Sequence, residues 1–151
     1  MSSAFGSRTS GSSVHRDLSS DAARRSLWMA TRLLLCAPFV LSGIGKALDF
    51  TSTIAEVRGL TGLEPAAIFA GFVVLTQLGG SALVVRGGRW AWVGAALLAC
   101  FTLIASVLAH GWWANSGVDR VRDFNTFWEH MGLIGGLALA ALTSGRSPRR
   151  T

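Results

Sequence analysis

The pattern of apolar and polar positions divides this chain into long uncharged blocks instead of spreading its apolar residues evenly. Two blocks are unbroken, AAIFAGFVVLTQLGGSALVV at residues 66–85 and WAWVGAALLACFTLIASVLA at residues 90–109. As a helix, each would cover about 30 Å, the thickness of a bilayer's hydrocarbon core. Neither block alternates as a half-buried strand does, and lipid offers no partners to an open backbone. Both are therefore predicted to be transmembrane helices.

Two further blocks carry charged residues near their ends. They cover residues 28–48 and 127–143. The first holds Arg32 and Lys46, whose long side chains reach toward the lipid headgroups, and the second opens with Glu129 and His130. Small residues in SGIGK, LGGSA and GLIGG would let helix backbones approach one another. The sequence thus predicts an all-α fold, an integral membrane antiparallel four-helix bundle.

The same blocks predict the domain organisation. A disordered Ser/Arg-rich cytoplasmic tail covers residues 1–25, a four-helix transmembrane domain covers residues 26–144, and a basic cytoplasmic tail covers residues 145–151. The first tail is rich in serine and has little that could pack into a core. A cleaved signal peptide is the alternative for the first block, but its length and the absence of a small-residue cleavage site favour a retained span.

Basic residues mark one side of the predicted spans. Ten of the 14 Lys and Arg precede or begin the first span, fill the RGGR link, or follow the fourth span: Arg8, Arg16, Arg24, Arg25, Arg32, Arg86, Arg89, Arg146, Arg149 and Arg150. The positive-inside rule then predicts that both termini and the link are cytoplasmic. All six Trp fall near predicted span ends, as an aromatic belt requires. Because these arginines account for the net charge of +6, no nucleic-acid partner is predicted.

Four ordered motifs carry a family resemblance. They are RLLLCAPFVLSGIGKALDF in the first span, LTQLGGSALVV in the second, LAHGWW at the end of the third and FWEHMGLIGGLALAA in the fourth. In order and spacing they resemble the DoxX family of small four-span bacterial membrane proteins, from Arg32 to Leu142. The chain departs from the family pattern at Gln77, where Glu is usual, and at Glu129 and His130, where Lys-Asn is common.

The resemblance implies a function and a location. Members of the family are associated with quinone-linked electron transfer, thiol-redox maturation and a membrane oxidoreductase complex for oxidative-stress defence. The chain is therefore expected in the bacterial cytoplasmic (inner) membrane, as an accessory subunit of a quinone-linked redox system with quinone as the candidate cofactor. A soluble or membrane oxidoreductase is the expected partner besides lipid. Whether the chain is itself an enzyme is left open.

Polar side chains at the outer ends of the predicted spans are the candidate site. The topology places Lys46, His110, Glu129 and His130 at one rim, where they would form an outward-facing cofactor pocket. A His/Glu pair can relay the protons that a quinol releases when it loses electrons. Gln77, deep in the second span, is included in this pocket, although an interhelical hydrogen bond is its more ordinary role. The alternative for the end-of-span groups is contact with headgroups and water.

Other chemistries and functions have weaker support. Cys36 and Cys100 fall at similar predicted depth, which leaves a disulfide open, but the chain has no C-x-x-C motif. Isolated cysteines and separated histidines do not form a metal-binding signature, so no metal site is predicted. The main alternative function is a non-redox membrane anchor for a soluble oxidoreductase. A small transporter ranks third, because no span has a charged interior face.

Overall fold

The computed structural model describes the backbone of residues 10–144 and the side chains of residues 21–144. Its helices are α1 (Ser10–Leu48), α2 (Phe50–Thr61), α3 (Ala66–Arg86), α4 (Ala91–Ala109) and α5 (Gly117–Ser144), with short 3-10 turns at Gly88–Trp90 and Trp112–Ala114. No strand occurs in this described range, so the all-α prediction is confirmed. Within this described range, three segments are long and apolar enough to cross a membrane: Asp21–Leu48, Ala66–Arg86 and Gly88–Ala114.

The chain divides into two compact units, residues 1–31 and residues 32–151, and α1 continues across the boundary. In the first unit, the described residues are helical from Ser10, which lies within the stretch predicted to be a disordered tail. From Ser12 to Ala37 the sequence contains neither glycine nor proline, so a helix can extend backwards from the first span without a break. Residues 1–9 and the basic tail at 145–151 lie outside the described residues.

Helix α2 lies between the first two predicted spans, outside the four apolar blocks. Asp49 caps its N-terminus by accepting a hydrogen bond from the Ser52 backbone N–H at 3.1 Å. That hydrogen bond also holds the pKa of the Asp49 carboxyl below its ordinary value. At the other end, Gly62 adopts a left-handed φ of 68°, which ends the helix at small steric cost. The two capping residues are therefore the sequence signal for this short helix.

Helices α3 and α4 have the boundaries predicted for the second and third spans to within one residue. Glycines bring their backbones together: a Cβ atom on Gly94 would lie 2.5 Å from the Gly80 carbonyl oxygen and 2.7 Å from the Leu83 Cβ. A Cβ on Gly80 would lie 2.9 Å from the Leu98 Cγ. Close backbone approach is the main way in which helices associate in lipid. This contact is continuous with the core formed by Cys36, Phe39, Val84, Ala95, Leu98 and Leu137.

The second half of α1 packs against α3 and α5. The Gln77 side-chain N–H donates to the Ser42 hydroxyl at 3.1 Å, which is the interhelical hydrogen bond expected of this residue. Close by, a Cβ on Gly43 would lie 2.8 Å from a Leu78 methyl carbon. On α5, a Cβ on Gly136 would lie 3.0 Å from a Leu35 methyl carbon. Both neighbours therefore approach α1 closely at glycines.

Helix α5 begins at Gly117, well before the predicted start of the fourth span at Phe127. The charged segment DRVRDFN lies within its first turns. The apolar run of α5 begins only after Glu129 and His130, and α5 is not among the three membrane-capable segments of the described chain. Three of the four predicted spans are thus membrane-capable by length and composition in the described residues.

Candidate functional site

The end of α4 and the charged first half of α5 bring two histidines together. His110 follows the last residue of α4, and His130 lies in α5. Their ring centroids are 5.3 Å apart and their planes are inclined at 68°. Polar side chains surround them, and we name this group the histidine cluster: Ser106, His110, Asn115, Asp123 and His130. Two residues of the predicted pocket therefore lie side by side, and each has its own polar partners.

Asp123 anchors the histidine cluster. Its side chain is 6% exposed, with one carboxylate oxygen 3.3 Å from His110 Nδ1 and the other accepting a hydrogen bond from the Asn115 amide at 2.6 Å. The hydrogen bond with His110 is the largest influence on the pKa of Asp123 and holds it below its ordinary value, with Asn115 and the Arg122 charge acting in the same direction against the effect of burial. Asp123 is therefore an anion at neutral pH.

The hydrogen bonds of His130 define its tautomer. His130 Nδ1 lies 2.8 Å from the Ser106 hydroxyl oxygen, and that hydroxyl donates its single hydrogen to the Thr102 carbonyl at 2.6 Å. Since the hydroxyl hydrogen is already used, Nδ1 must carry the hydrogen of the neutral ring and donate it to Ser106. The lone pair of neutral His130 is then on Nε2, and this nitrogen is free to accept a proton.

Acid should weaken the cluster through Asp123. The pKa of the Asp123 carboxyl is lower in the folded protein than in the unfolded chain, so the carboxylate stabilises the fold at pH values above 3.8, its ordinary pKa. That stabilisation disappears as the pH falls through the lowered pKa of the folded state. We expect Asp123→Asn to lower the unfolding temperature in detergent at about pH 7 and to have much less effect at about pH 2. An equal effect at both pH values would contradict a charged Asp123.

The other predicted site residues lie in different surroundings. Lys46 Nζ forms an ion pair with Glu56 of α2. Gln77 bonds to Ser42, and its carbonyl oxygen is buried without a partner. Glu129 is exposed. No hydrogen bond or ion pair of the described side chains joins these three residues to the histidines.

An apolar groove lies beside Lys46. It has a volume of about 360 Å³ and is walled by α2, α3 and α4, with Phe69, Phe72 and Phe101 among its lining residues. The Lys46–Glu56 pair supplies its charged groups. The last turns of α4 contribute to both regions, because Ile104, Ala105 and Leu108 line the groove while Ser106 and His110 belong to the histidine cluster. The groove and the cluster are therefore neighbours across α4.

Sequence reasoning did not include Asp123 or Glu56 in the site. Asp123 precedes His130 by two helical turns, so both would share one face once α5 is known to include the charged segment. Glu56 depends on α2, which turns this residue toward the end of α1. Both residues lie on helical segments outside the four predicted spans, namely α2 and the first turns of α5.

The remaining candidate chemistry is limited to the described residues. Cys36 is a buried free thiol and Cys100 is an exposed one. Across the described side chains, no group of three or more His, Cys, Asp or Glu is placed to hold a metal ion.

These features define a helical membrane protein with polar groups gathered where its helices end. The family model for DoxX matches residues 27–111, which is more than half of the chain. The chain therefore belongs to the DoxX family, as the motifs predict. The match runs from the first apolar block through His110 and leaves α5 outside. Neither a curated protein nor a solved structure matches the chain.

Proposed function

We propose that this protein is an accessory subunit of a quinone-linked membrane redox system and that the apolar groove is its quinone site. The observation that carries the proposal is an aromatic groove of about 360 Å³ with a lysine at its edge. A quinone ring is flat and apolar except for its carbonyl oxygens, so Phe69, Phe72 and Phe101 would contact the ring while Lys46 Nζ donates to a carbonyl. The isoprenoid tail would leave toward the surrounding lipid.

We further propose that the chain crosses the bacterial inner membrane four times, with both termini in the cytoplasm. The order of contacts supports antiparallel neighbours, because Arg32 lies near Gly87 whereas Gly43 lies near Leu78. Helices α4 and α5 are antiparallel by the same criterion, because the earlier residue Ser106 contacts His130 whereas the later residue His110 contacts Asp123. The apolar second half of α5 would be the fourth span, and its charged first half would lie at the outer surface.

In this proposal the histidine cluster carries protons. A quinol that is oxidised to a quinone gives up two electrons and two protons, and the partner oxidoreductase exchanges the electrons. His130 Nε2 would accept a proton near the groove, and His110, held by Asp123, would pass it toward water. Arg122, which is exposed and lies 3.7 Å from Asp123, marks the outer end of this route.

Quinone binding by the purified full-length protein tests the groove directly. We expect ubiquinone or menaquinone to be present in an organic extract of the detergent-purified protein. Lys46→Met should weaken binding of added quinone about tenfold, because a hydrogen bond from a charged donor contributes about 1.5–3 kcal/mol. The matched control is Arg58→Met, which removes a cation from the Arg58–Glu64 ion pair outside the groove and should leave quinone binding unchanged.

The same purification distinguishes the alternative functions. A soluble oxidoreductase that co-purifies in stoichiometric amounts without any quinone would identify a membrane anchor. Substrate flux in liposomes with neither quinone nor a partner would identify a transporter. Equal quinone binding by Lys46→Met and Arg58→Met would reject the groove as the quinone site.

A further inference from the structure

Three arginines lie at the end of the second unit that is remote from the histidine cluster, and none has an acidic partner among the described side chains. They are Arg32, at the start of the unit, and Arg86 and Arg89, around the link between α3 and α4. The acidic residues of the described part of this unit all belong to the opposite end: Asp49, Glu56, Glu64, Asp119, Asp123 and Glu129. Consistent with this, none of the ion pairs among the described side chains includes these arginines. We name them the arginine end.

The Arg32 guanidinium lies against the link at Gly87, where the absence of a side chain leaves room for it. Gly87 has a φ of 74° and is buried, and a Cβ atom there would collide with the Arg32 guanidinium. The guanidinium therefore lies over the backbone where α3 ends. This contact brings a cation of α1 to the same level as Arg86 and Arg89, although the residues are far apart in sequence.

The residues around the arginine end are exposed tryptophans and leucines. The Arg89 guanidinium carbon lies 5.1 Å from the centroid of the Trp90 ring, and the side chains of Trp90 and Trp92 are more than half exposed. Leu33 and Leu34, next to Arg32, are also exposed. Because both helices that flank the link are membrane-capable, the link must lie at the depth of the headgroups.

We propose that the arginine end is a binding site for the phosphate of an anionic phospholipid. Guanidinium groups bind phosphate oxygens with paired hydrogen bonds, and unpaired cations at the membrane surface attract anionic lipid. The exposed tryptophans and leucines favour a lipid over free phosphate, since they provide contacts for the glycerol backbone and acyl chains that inorganic phosphate lacks. The site is independent of the quinone proposal, because it uses other residues at the other end of the helices.

Native mass spectrometry of the full-length protein in mild detergent tests the site, with dioleoylphosphatidylglycerol and dioleoylphosphatidylcholine as competing probes. We expect preferential retention of the phosphatidylglycerol. Each of Arg32→Gln, Arg86→Gln and Arg89→Gln should weaken this binding about fivefold, since a basic residue near an anionic surface contributes about that factor. Arg89→Lys keeps the charge and should lose less than Arg89→Gln.

The matched control is Arg120→Gln at the opposite end. Arg120 is also exposed and lies over a tryptophan, with its guanidinium carbon 5.6 Å from the Trp112 ring centroid, so this variant removes a similar cation–π pair. It should leave phosphatidylglycerol retention unchanged. Equal retention of the two lipids, an equal loss in Arg120→Gln, or full displacement of the lipid by inorganic phosphate would each overturn the proposal. Elution of all variants as single species in size exclusion ensures that a loss reports binding rather than misfolding.

Discussion

Gly94→Ala is expected to destabilise the helical core by about 3 kcal/mol, near the upper end of the usual cost of overpacking. The added Cβ would lie 2.5 Å from the Gly80 carbonyl oxygen and 3.1 Å from the Val84 backbone nitrogen. Backbone atoms cannot rotate away as a side chain can, so α3 and α4 would have to separate. That separation would also loosen Leu98, which is fully buried between them. Unfolding of purified protein in mixed detergent measures the loss.

Gly71 in α3 provides the control for this prediction. A Cβ on Gly71 would meet nothing within 4 Å, so Gly71→Ala should not lower the free energy of unfolding and should raise it by up to about 1 kcal/mol, because alanine is favoured over glycine inside a helix. Similar stability of Gly94→Ala and Gly71→Ala would show that the two backbones do not pack as closely as described.

His130→Ala is expected to slow quinone-linked electron transfer about a hundredfold, at the low end of the range for removal of a general acid or base. The ring lies between Ser106 and His110, so alanine would interrupt the proposed proton route without changing the apolar groove. The assay is the turnover of quinol by the complex that co-purifies with the chain. Quinone affinity should be retained, because the affected step is proton transfer and not binding.

Thr126→Ala is the matched control for His130→Ala. Thr126 is one turn earlier in α5, and its hydroxyl donates to the Arg122 carbonyl of its own helix at 3.1 Å. This variant should keep turnover within about twofold, since surface substitutions usually have small effects. Wild-type turnover in His130→Ala would remove the histidine cluster from the mechanism.

The sequence predicts α3 and α4 well because lipid imposes both their composition and their length. It does not predict α2, whose stability depends on the Asp49 cap, the Gly62 end and packing against α3. The early start of α5 is obscured in a similar way, because its first turns carry charges that resemble a loop. These local elements decide which polar groups meet.

The candidate site shows the consequence of those missing elements. The sequence groups Lys46 with His110 and His130 because all three lie at the outer ends of predicted spans. Helix α2 provides Glu56 as the ionic partner of Lys46, and the extended α5 provides Asp123 as the partner of His110. The hydrophobic pattern within a span does not predict these ionic partners, since Glu56 and Asp123 lie in the segments between the spans.

The most direct test of the account is the membrane topology of single-cysteine variants in which Cys36 and Cys100 are replaced by alanine. Cysteines would be placed at Gly59 in α2, Arg89 in the link, Ser116 before α5 and Ser147 in the C-terminal tail. With an impermeant maleimide added to intact cells, the proposed four-span topology predicts labelling at positions 59 and 116, whereas positions 89 and 147 react only after the membrane is opened. Labelling at position 147 in intact cells would show that α5 does not cross the membrane, and labelling at position 89 would reverse the orientation and move the histidine cluster to the cytoplasmic face.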